Sequence, residues 1–160
     1  MKRLFGHVPA KLTAVMVCVL LMSSGCSAPN HEGFAIYLTK GDIPPAQMPV
    51  LSHVDLAEQP IIAMNDIVTY NPNTHEITLT ANAFDRIFSL EVPVTGKSFM
   101  VCVDRKPIYW GAFWVPWSCT LFDGVTIWKP LSLEEPHVIR LELSALYMGE
   151  DPRSNPVVIE

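Results

Sequence analysis

Two cysteines in the body of the chain, Cys102 and Cys119, are the side chains with the clearest potential for covalent chemistry. A disulfide between them would close a loop of about 17 residues and add on the order of 3 kcal/mol by restricting the unfolded chain. The alternative is two reduced thiols that pack as small apolar side chains. The sequence has no Cys-x-x-Cys pair, so we do not expect a redox couple or a metal held by two cysteines.

Histidines and acidic residues offer little further chemistry. Four histidines lie beyond the N-terminal segment, and none stands at metal-ligand spacing from another. We therefore expect no metal and no cofactor. The sequence has no nucleophile elbow, phosphate-binding loop or dinucleotide-binding glycine pattern, which argues against an enzyme. Carboxylates can still pair in space, so a small hydrolase that uses dispersed acids is the less favoured alternative. The four histidines are His31, His53, His75 and His137.

The strongest functional feature is a run of aromatic residues, since aromatic side chains dominate both cores and interfaces. If Trp114 and Trp117 stand on the surface beside Pro116, they form a contact for a protein or peptide partner. In the alternative, they close the core beneath the irregular segment 43–60. The aromatic set consists of Tyr109, Trp110, Phe113, Trp114 and Trp117.

The strand that carries these aromatics has to be positioned by a predicted β-hairpin. Gly96-Lys97 turns the chain into a strand over 98–104, and the polar turn 104–107 leads into a return strand over 108–115. Both faces of the return strand are apolar. Either the strand is covered on both sides, which is the favoured interpretation, or one face is kept for a partner.

The rest of the chain predicts short strands around one main helix. Alternation over 75–79 indicates a half-buried strand, and Thr80 offers a hydroxyl as N-cap for a helix that ends near Leu90. Segment 43–60 contains several prolines and should be irregular. We therefore expect an α+β fold, a small mixed or antiparallel sheet with one main helix packed on it. Further strands are predicted over 34–39, 66–70, 124–127, 137–143 and 157–159, with 137–143 as a single amphipathic edge strand and 61–64 as a short apolar segment.

Several of these elements resemble the periplasmic head subdomain of SecD/SecDF-type protein-translocation factors. That family has a strand, a short helix, a Gly-Lys turn, an apolar strand ending in Asp, a second strand and a final Ile-rich strand. The corresponding residues here are Ile77–Leu79, Ala83–Leu90, Gly96-Lys97, Phe99–Asp104, Lys106–Ile108 and Gly124–Ile127. The resemblance covers 59–128 and implies a SecD head-like core, while the aromatic run 109–117 departs from the family pattern.

The N-terminal residues resemble a bacterial lipoprotein signal. A basic start is followed by an apolar run over 12–22 that is short for a membrane span, and then by small residues before Cys26. This resemblance implies a signal peptide over 1–25, acylation of Cys26 and a tether over 26–33, followed by a single domain over 34–160. The alternatives are an ordinary secretory signal and an uncleaved anchor.

Charge limits the classes of partner. The chain has 11 basic and 16 acidic residues; three basic residues and no acidic ones precede Cys26, so the remainder carries 8 basic and 16 acidic side chains, a formal −8. This balance argues against nucleic-acid binding. We expect a non-catalytic protein that binds protein or peptide, held by lipid at a membrane of the cell envelope outside the cytoplasm. An envelope structural or assembly factor with an exposed strand edge is the alternative.

Overall fold

The structure is a computed structural model that describes residues 32–134 and 136–159. All of them belong to one compact unit. The predicted signal peptide, Cys26, most of the predicted tether and His31 lie outside the described residues.

The described chain forms nine strands and two α-helices, which confirms the α+β class. Two 3-10 turns, Pro45–Gln47 and Leu51–His53, lie in the segment predicted to be irregular, and two more follow at Met64–Asp66 and Pro152–Ser154. The regular elements are β1 (Phe34–Leu38), β2 (Ile62–Ala63), β3 (Ile67–Asn71), β4 (Glu76–Leu79), α1 (Ala81–Ser89), β5 (Lys97–Val103), β6 (Lys106–Trp114), β7 (Val125–Trp128), β8 (Val138–Arg140), β9 (Glu142–Leu143) and α2 (Pro156–Ile159).

A mixed six-stranded sheet in the order β2-β1-β5-β6-β7-β9 is the main element. Its neighbours are antiparallel except for β6 and β7, which run parallel from Gly111 opposite Val125 to Trp114 opposite Trp128. The predicted hairpin of β5 and β6 is confirmed. Its turn residues Asp104 and Arg105 both have positive φ angles, of 49° and 60°, as a tight two-residue hairpin turn requires.

A second sheet of three antiparallel strands, β3-β4-β8, was not predicted. Helix α1 follows β4 directly, and the hydroxyl of Thr80 accepts a hydrogen bond from the backbone N–H of Ala83, as an N-cap does. The helix buries Ala83, Phe84 and Ile87. The main helix is therefore the one that the sequence predicts.

The six-stranded sheet is covered on both faces. One face packs against the second sheet and α1 in the main core, which includes Phe99, Phe113 and Ile127. The other face packs against segment 43–60, where Tyr37 and Met100 lie in a smaller cluster. The apolar character of both faces of β6 follows from this burial.

Two predictions at the C-terminal end are wrong. The single strand predicted over 137–143 is divided: β8 joins the second sheet, β9 joins the first, and buried Leu141 lies between them with its N–H on the carbonyl of His75. The strand predicted over 157–159 is a short helix. Asn155 caps it by accepting a hydrogen bond from the N–H of Val157, and Pro156 occupies the first helical position, which proline favours.

Candidate functional site

The five aromatic residues singled out from the sequence have very different environments. Phe113 is fully buried in the main core, Tyr109 and Trp114 are each only 5% exposed, and Trp110 is half-buried. Trp117 is 60% exposed. The structure therefore places the first four in or against the core, and only Trp117 offers most of its surface to a partner.

Trp114 is fixed by a close aromatic packing. Its ring stacks on Phe122 with the centroids 5.6 Å apart and an angle of 16° between the planes, and Phe122 also contacts Trp110 at 5.3 Å. On another side, a Cβ at Gly96 would lie 2.1 Å from the ring of Trp114. Gly96 also has a φ of 80°, which favours glycine. Glycine at position 96 therefore allows both the positive φ of the turn and the close approach of the Trp114 indole.

The loop between β6 and β7, residues 115–124, presents Trp117 and is held by hydrogen bonds. The hydroxyl of Ser118 donates to the carbonyl of Val94 at 2.6 Å and lies 2.9 Å from the hydroxyl of Thr120. The N–H of Ser118 reaches the carbonyl of Val115. We call these residues the tryptophan loop. Because its backbone is tied at several points, its exposed apolar side chains are displayed without a large ordering cost.

A groove of about 170 Å³ lies between the tryptophan loop and the β7–β9 edge. Leu121, which is 86% exposed, and Trp128, which is 42% exposed, stand among its walls. The indole N–H of Trp128 donates to the Glu142 carboxylate at 2.8 Å, so the groove combines apolar surface with a negative charge. Sequence reasoning missed Leu121, Trp128 and Glu142 as site residues, because their proximity depends on strand register.

The two body cysteines are both free thiols. Cys102 is buried in the smaller core cluster, and burial raises the pKa of its thiol to about 11. Cys119 is exposed on the tryptophan loop. The disulfide alternative is thus absent from the structure, and Cys102 packs as the reduced-thiol alternative describes.

A polar cluster near the C-terminal end contains three ionisable groups with shifted pKa values: Tyr70, His75 and Asp151. The Tyr70 hydroxyl lies 2.8 Å from Nδ1 of His75, and burial lowers the pKa of His75 while it raises that of Tyr70. Hydrogen bonds from Arg153 lower the pKa of Asp151. Arg153 also donates to the carbonyl of Leu141 at 2.7 Å. With the imidazole neutral and the phenol protonated at pH 7, the Tyr70 hydroxyl can donate a hydrogen bond to His75. Arg153 in turn links the C-terminal residues to Leu141.

Other features give no direct support to catalysis. A cavity of about 300 Å³ between the two sheets has walls that are apolar apart from Tyr70. Within residues 32–134 and 136–159, histidines, cysteines and carboxylates form no group of three or more able to hold a metal ion. No helix in these same ranges has the length and apolar character needed to span a membrane.

The chain matches no protein family, no curated protein and no solved structure. The resemblance of 59–128 to the SecD head and the lipoprotein character of the N-terminal residues stay predictions. The site itself is defined by geometry: an anchored loop with an exposed indole beside a small aromatic groove that holds one carboxylate.

Proposed function

We propose that this protein is a lipid-anchored protein of the cell envelope that binds a polypeptide outside the cytoplasm and catalyses no reaction. The observation that carries the binding role is the tryptophan loop, where Trp117 is 60% exposed on a backbone tied to Val94 through Ser118. An exposed tryptophan on an ordered loop is the residue type that most often dominates a protein interface.

The groove suggests what part of a polypeptide is bound. Its volume of about 170 Å³ suits a single apolar side chain, which would lie between Leu121 and Trp128. Glu142 accepts the indole N–H of Trp128 and lies 3.9 Å from the guanidinium of Arg140, in an exposed ion pair. Its two oxygens have more acceptor capacity than these contacts use, so the carboxylate can also receive a basic group of the partner. The formal charge of −8 beyond residue 26 favours the same kind of partner, a polypeptide with apolar and basic residues.

Anchoring is supported by the sequence of the N-terminal residues. The small residues before Cys26 follow an apolar run that is short for a membrane span. Two or more acyl chains hold a protein stably at a membrane, since each buried methylene contributes about 0.8 kcal/mol. The seven residues between Cys26 and the domain, 27–33, reach at most about 24 Å, so the domain would stay close to the membrane.

Peptide selection tests the binding role. The full chain, purified in detergent micelles, is used to select from a displayed random-peptide library, and selected peptides are then titrated by fluorescence anisotropy. We expect enrichment of peptides with apolar and basic residues. Trp117→Ala should weaken binding at least about tenfold, the effect of losing one interface hot spot.

Val68→Ala is the matched control. Val68 lies on β3, in the other sheet, and is also 60% exposed, so its loss removes exposed apolar surface away from the loop. Equal Kd values for Trp117→Ala and Val68→Ala would contradict the proposed contact. A selection that enriches no peptide over empty micelles would remove the binding role altogether.

Mass spectrometry of the mature N-terminus tests the anchor separately. We expect the chain to begin at residue 26 with acyl chains on Cys26, and Cys26→Ser to leave the membrane fraction. An unmodified N-terminus, or a retained leader in the wild-type protein, would contradict the lipid anchor without affecting the peptide result.

A further inference from the structure

Half of strand β6 has a free edge inside the six-stranded sheet. On one side, β6 pairs with β5 from Lys106 to Phe113. On the other side, β7 pairs only with Gly111–Trp114. Residues 106, 107, 109 and 110 are therefore strand residues with a neighbour on a single side, and Ile108 is the extra residue of an irregularity in the β5–β6 register and has no partner strand residue.

No other described segment satisfies this edge. Among the described residues, Ile108, Tyr109 and Trp110 make no backbone hydrogen bond to a turn or loop. Tyr109 and Trp110 are successive residues in regular register with Val101 and Met100, and successive residues of a strand direct their N–H and C=O groups to opposite sides. One of these two residues therefore directs its backbone groups away from β5. Paired strands satisfy such groups, and an unpaired edge is a template for another chain.

The free edge opens into a cleft of about 550 Å³, which we call the strand slot. Its walls include Ile108, Tyr109 and Trp110 on β6, Asp123 and Gly124 at the end of the tryptophan loop just before β7, and Tyr147. Since β7 lies between β6 and β9, the slot continues the line of β7 towards its N-terminal side.

We infer that the strand slot binds an extended peptide segment, which adds to β6 beside residues 106–110. The inference rests on the proposed polypeptide-binding function and gives it a second contact, read through the backbone. Of the ligand classes that fit an apolar-and-polar cleft, an extended polypeptide is the one that supplies alternating N–H and C=O groups along a strand edge.

The slot also selects side chains. Alternate residues of an added strand point to opposite faces of the sheet. The exposed carboxylate of Asp123 at one end of the slot favours a basic residue. Met148, which is 96% exposed, offers an adaptable apolar wall for the residues between. The preferred segment therefore combines a basic residue near Asp123 with apolar residues.

Binding of a synthetic pentapeptide, Lys-Val-Lys-Val-Lys, to the full chain in detergent micelles tests the inference. Two twin peptides have the same side chains as this parent peptide. One carries methyl groups on the backbone nitrogens of both valines, and the other carries them on the backbone nitrogens of the three lysines. We expect at least one twin to bind about tenfold more weakly than the parent, because N-methylation removes strand hydrogen bonds. Both twins binding within about twofold of the parent, or no saturable binding of the parent, would overturn the inference.

A charge reversal and amide exchange locate the peptide. Asp123→Lys should weaken the parent peptide about tenfold, whereas Asp85→Lys, an exposed change on α1, should leave the Kd unchanged. In the wild-type chain, the peptide should slow amide hydrogen exchange at one or two of Ile108, Tyr109 and Trp110 at least about tenfold. Unchanged exchange at all three amides in the presence of bound peptide would place the peptide elsewhere.

These measurements separate the slot from the proposed function. A chain that selects peptides through Trp117 but shows no N-methyl effect and no protection at residues 108–110 keeps the tryptophan loop as its contact and loses the slot. A chain that binds neither the selected peptides nor the pentapeptide loses both.

Discussion

Two tryptophans three residues apart should respond in opposite ways to truncation. Trp114 is 5% exposed and stacks on Phe122, whereas Trp117 is 60% exposed on the tryptophan loop. Removing a buried tryptophan side chain costs about 3–5 kcal/mol, and an aromatic pair of this kind contributes about 0.5–1.5 kcal/mol beyond burial. We therefore expect Trp114→Ala to lower the free energy of unfolding by about 4 kcal/mol.

Exposed side chains away from special features change stability by about 0.5 kcal/mol or less when substituted. Trp117→Ala should therefore leave the free energy of unfolding nearly unchanged while it weakens peptide binding. Against a total of about 5–15 kcal/mol for a domain, the Trp114 effect is large. It would leave some chains partly unfolded, and peptide binding would fall only because less folded protein is present.

Urea denaturation, followed by far-ultraviolet circular dichroism, measures both effects. With a slope near 2 kcal/mol per M, typical of a small domain, Trp114→Ala should lower the urea midpoint by about 2 M and Trp117→Ala by less than about 0.3 M. Circular dichroism is preferred to fluorescence because both substitutions remove a fluorophore. A midpoint shift below about 0.5 M for Trp114→Ala, or above about 0.7 M for Trp117→Ala, would refute the assignment of one residue to the core and the other to the surface.

Three further predictions concern other sites. A maleimide should label Cys119 rapidly in the folded chain and Cys102 only after unfolding, as counted by mass spectrometry; resistance of both thiols without reductant would indicate a disulfide. Burial lowers the pKa of His75, so the folded chain favours the neutral imidazole. The contribution of His75 to stability is therefore present above about pH 6.5, the pKa of an unperturbed histidine, and is lost as the pH falls below that value. His75→Asn, which tolerates the positive φ, should reduce this part of the pH dependence of the urea midpoint, and an unchanged profile would contradict the role of the imidazole. Gly111→Ala should destabilise by more than about 2 kcal/mol, since its Cβ would lie 2.3 Å from the carbonyl oxygen of Val125; a thermal shift of a degree or less would contradict this contact.

Local signals predicted much of the fold correctly. The alternation over 75–79, the Thr80 cap and the turn at 104–107 each depend on neighbours in sequence, and β4, α1 and the β5–β6 hairpin are confirmed. The division of 137–143 between two sheets was not predicted, because alternation reports that a segment is half-buried and says nothing about which strand it joins. The capping signal at Asn155-Pro156 was present in the sequence and would have predicted the last helix.

The candidate site was predicted less completely. The aromatic run was visible, but whether Trp114 or Trp117 is exposed depends on Phe122 and Gly96, which approach Trp114 only in the folded chain. Trp114 lies beside Trp128 because β6 and β7 pair in parallel after the connection 115–124. The alternation of apolar residues within each strand does not predict that pairing. The free edge of β6 likewise exists because β7 begins at Val125, and strand boundaries are the feature that local patterns determine least well.

The passage of one short segment from the second sheet to the first has a consequence for how the domain opens. Residues 138–143 contribute β8 to one sheet and β9 to the other, and Leu141 is buried between them. If one sheet moved away from the other as a rigid body, Leu141 would have to leave the core. Opening that unfolds one sheet and leaves the other intact is therefore unfavourable. A protein with this connection should cross from native to unfolded as a single cooperative unit, with fraying confined to its ends and loops.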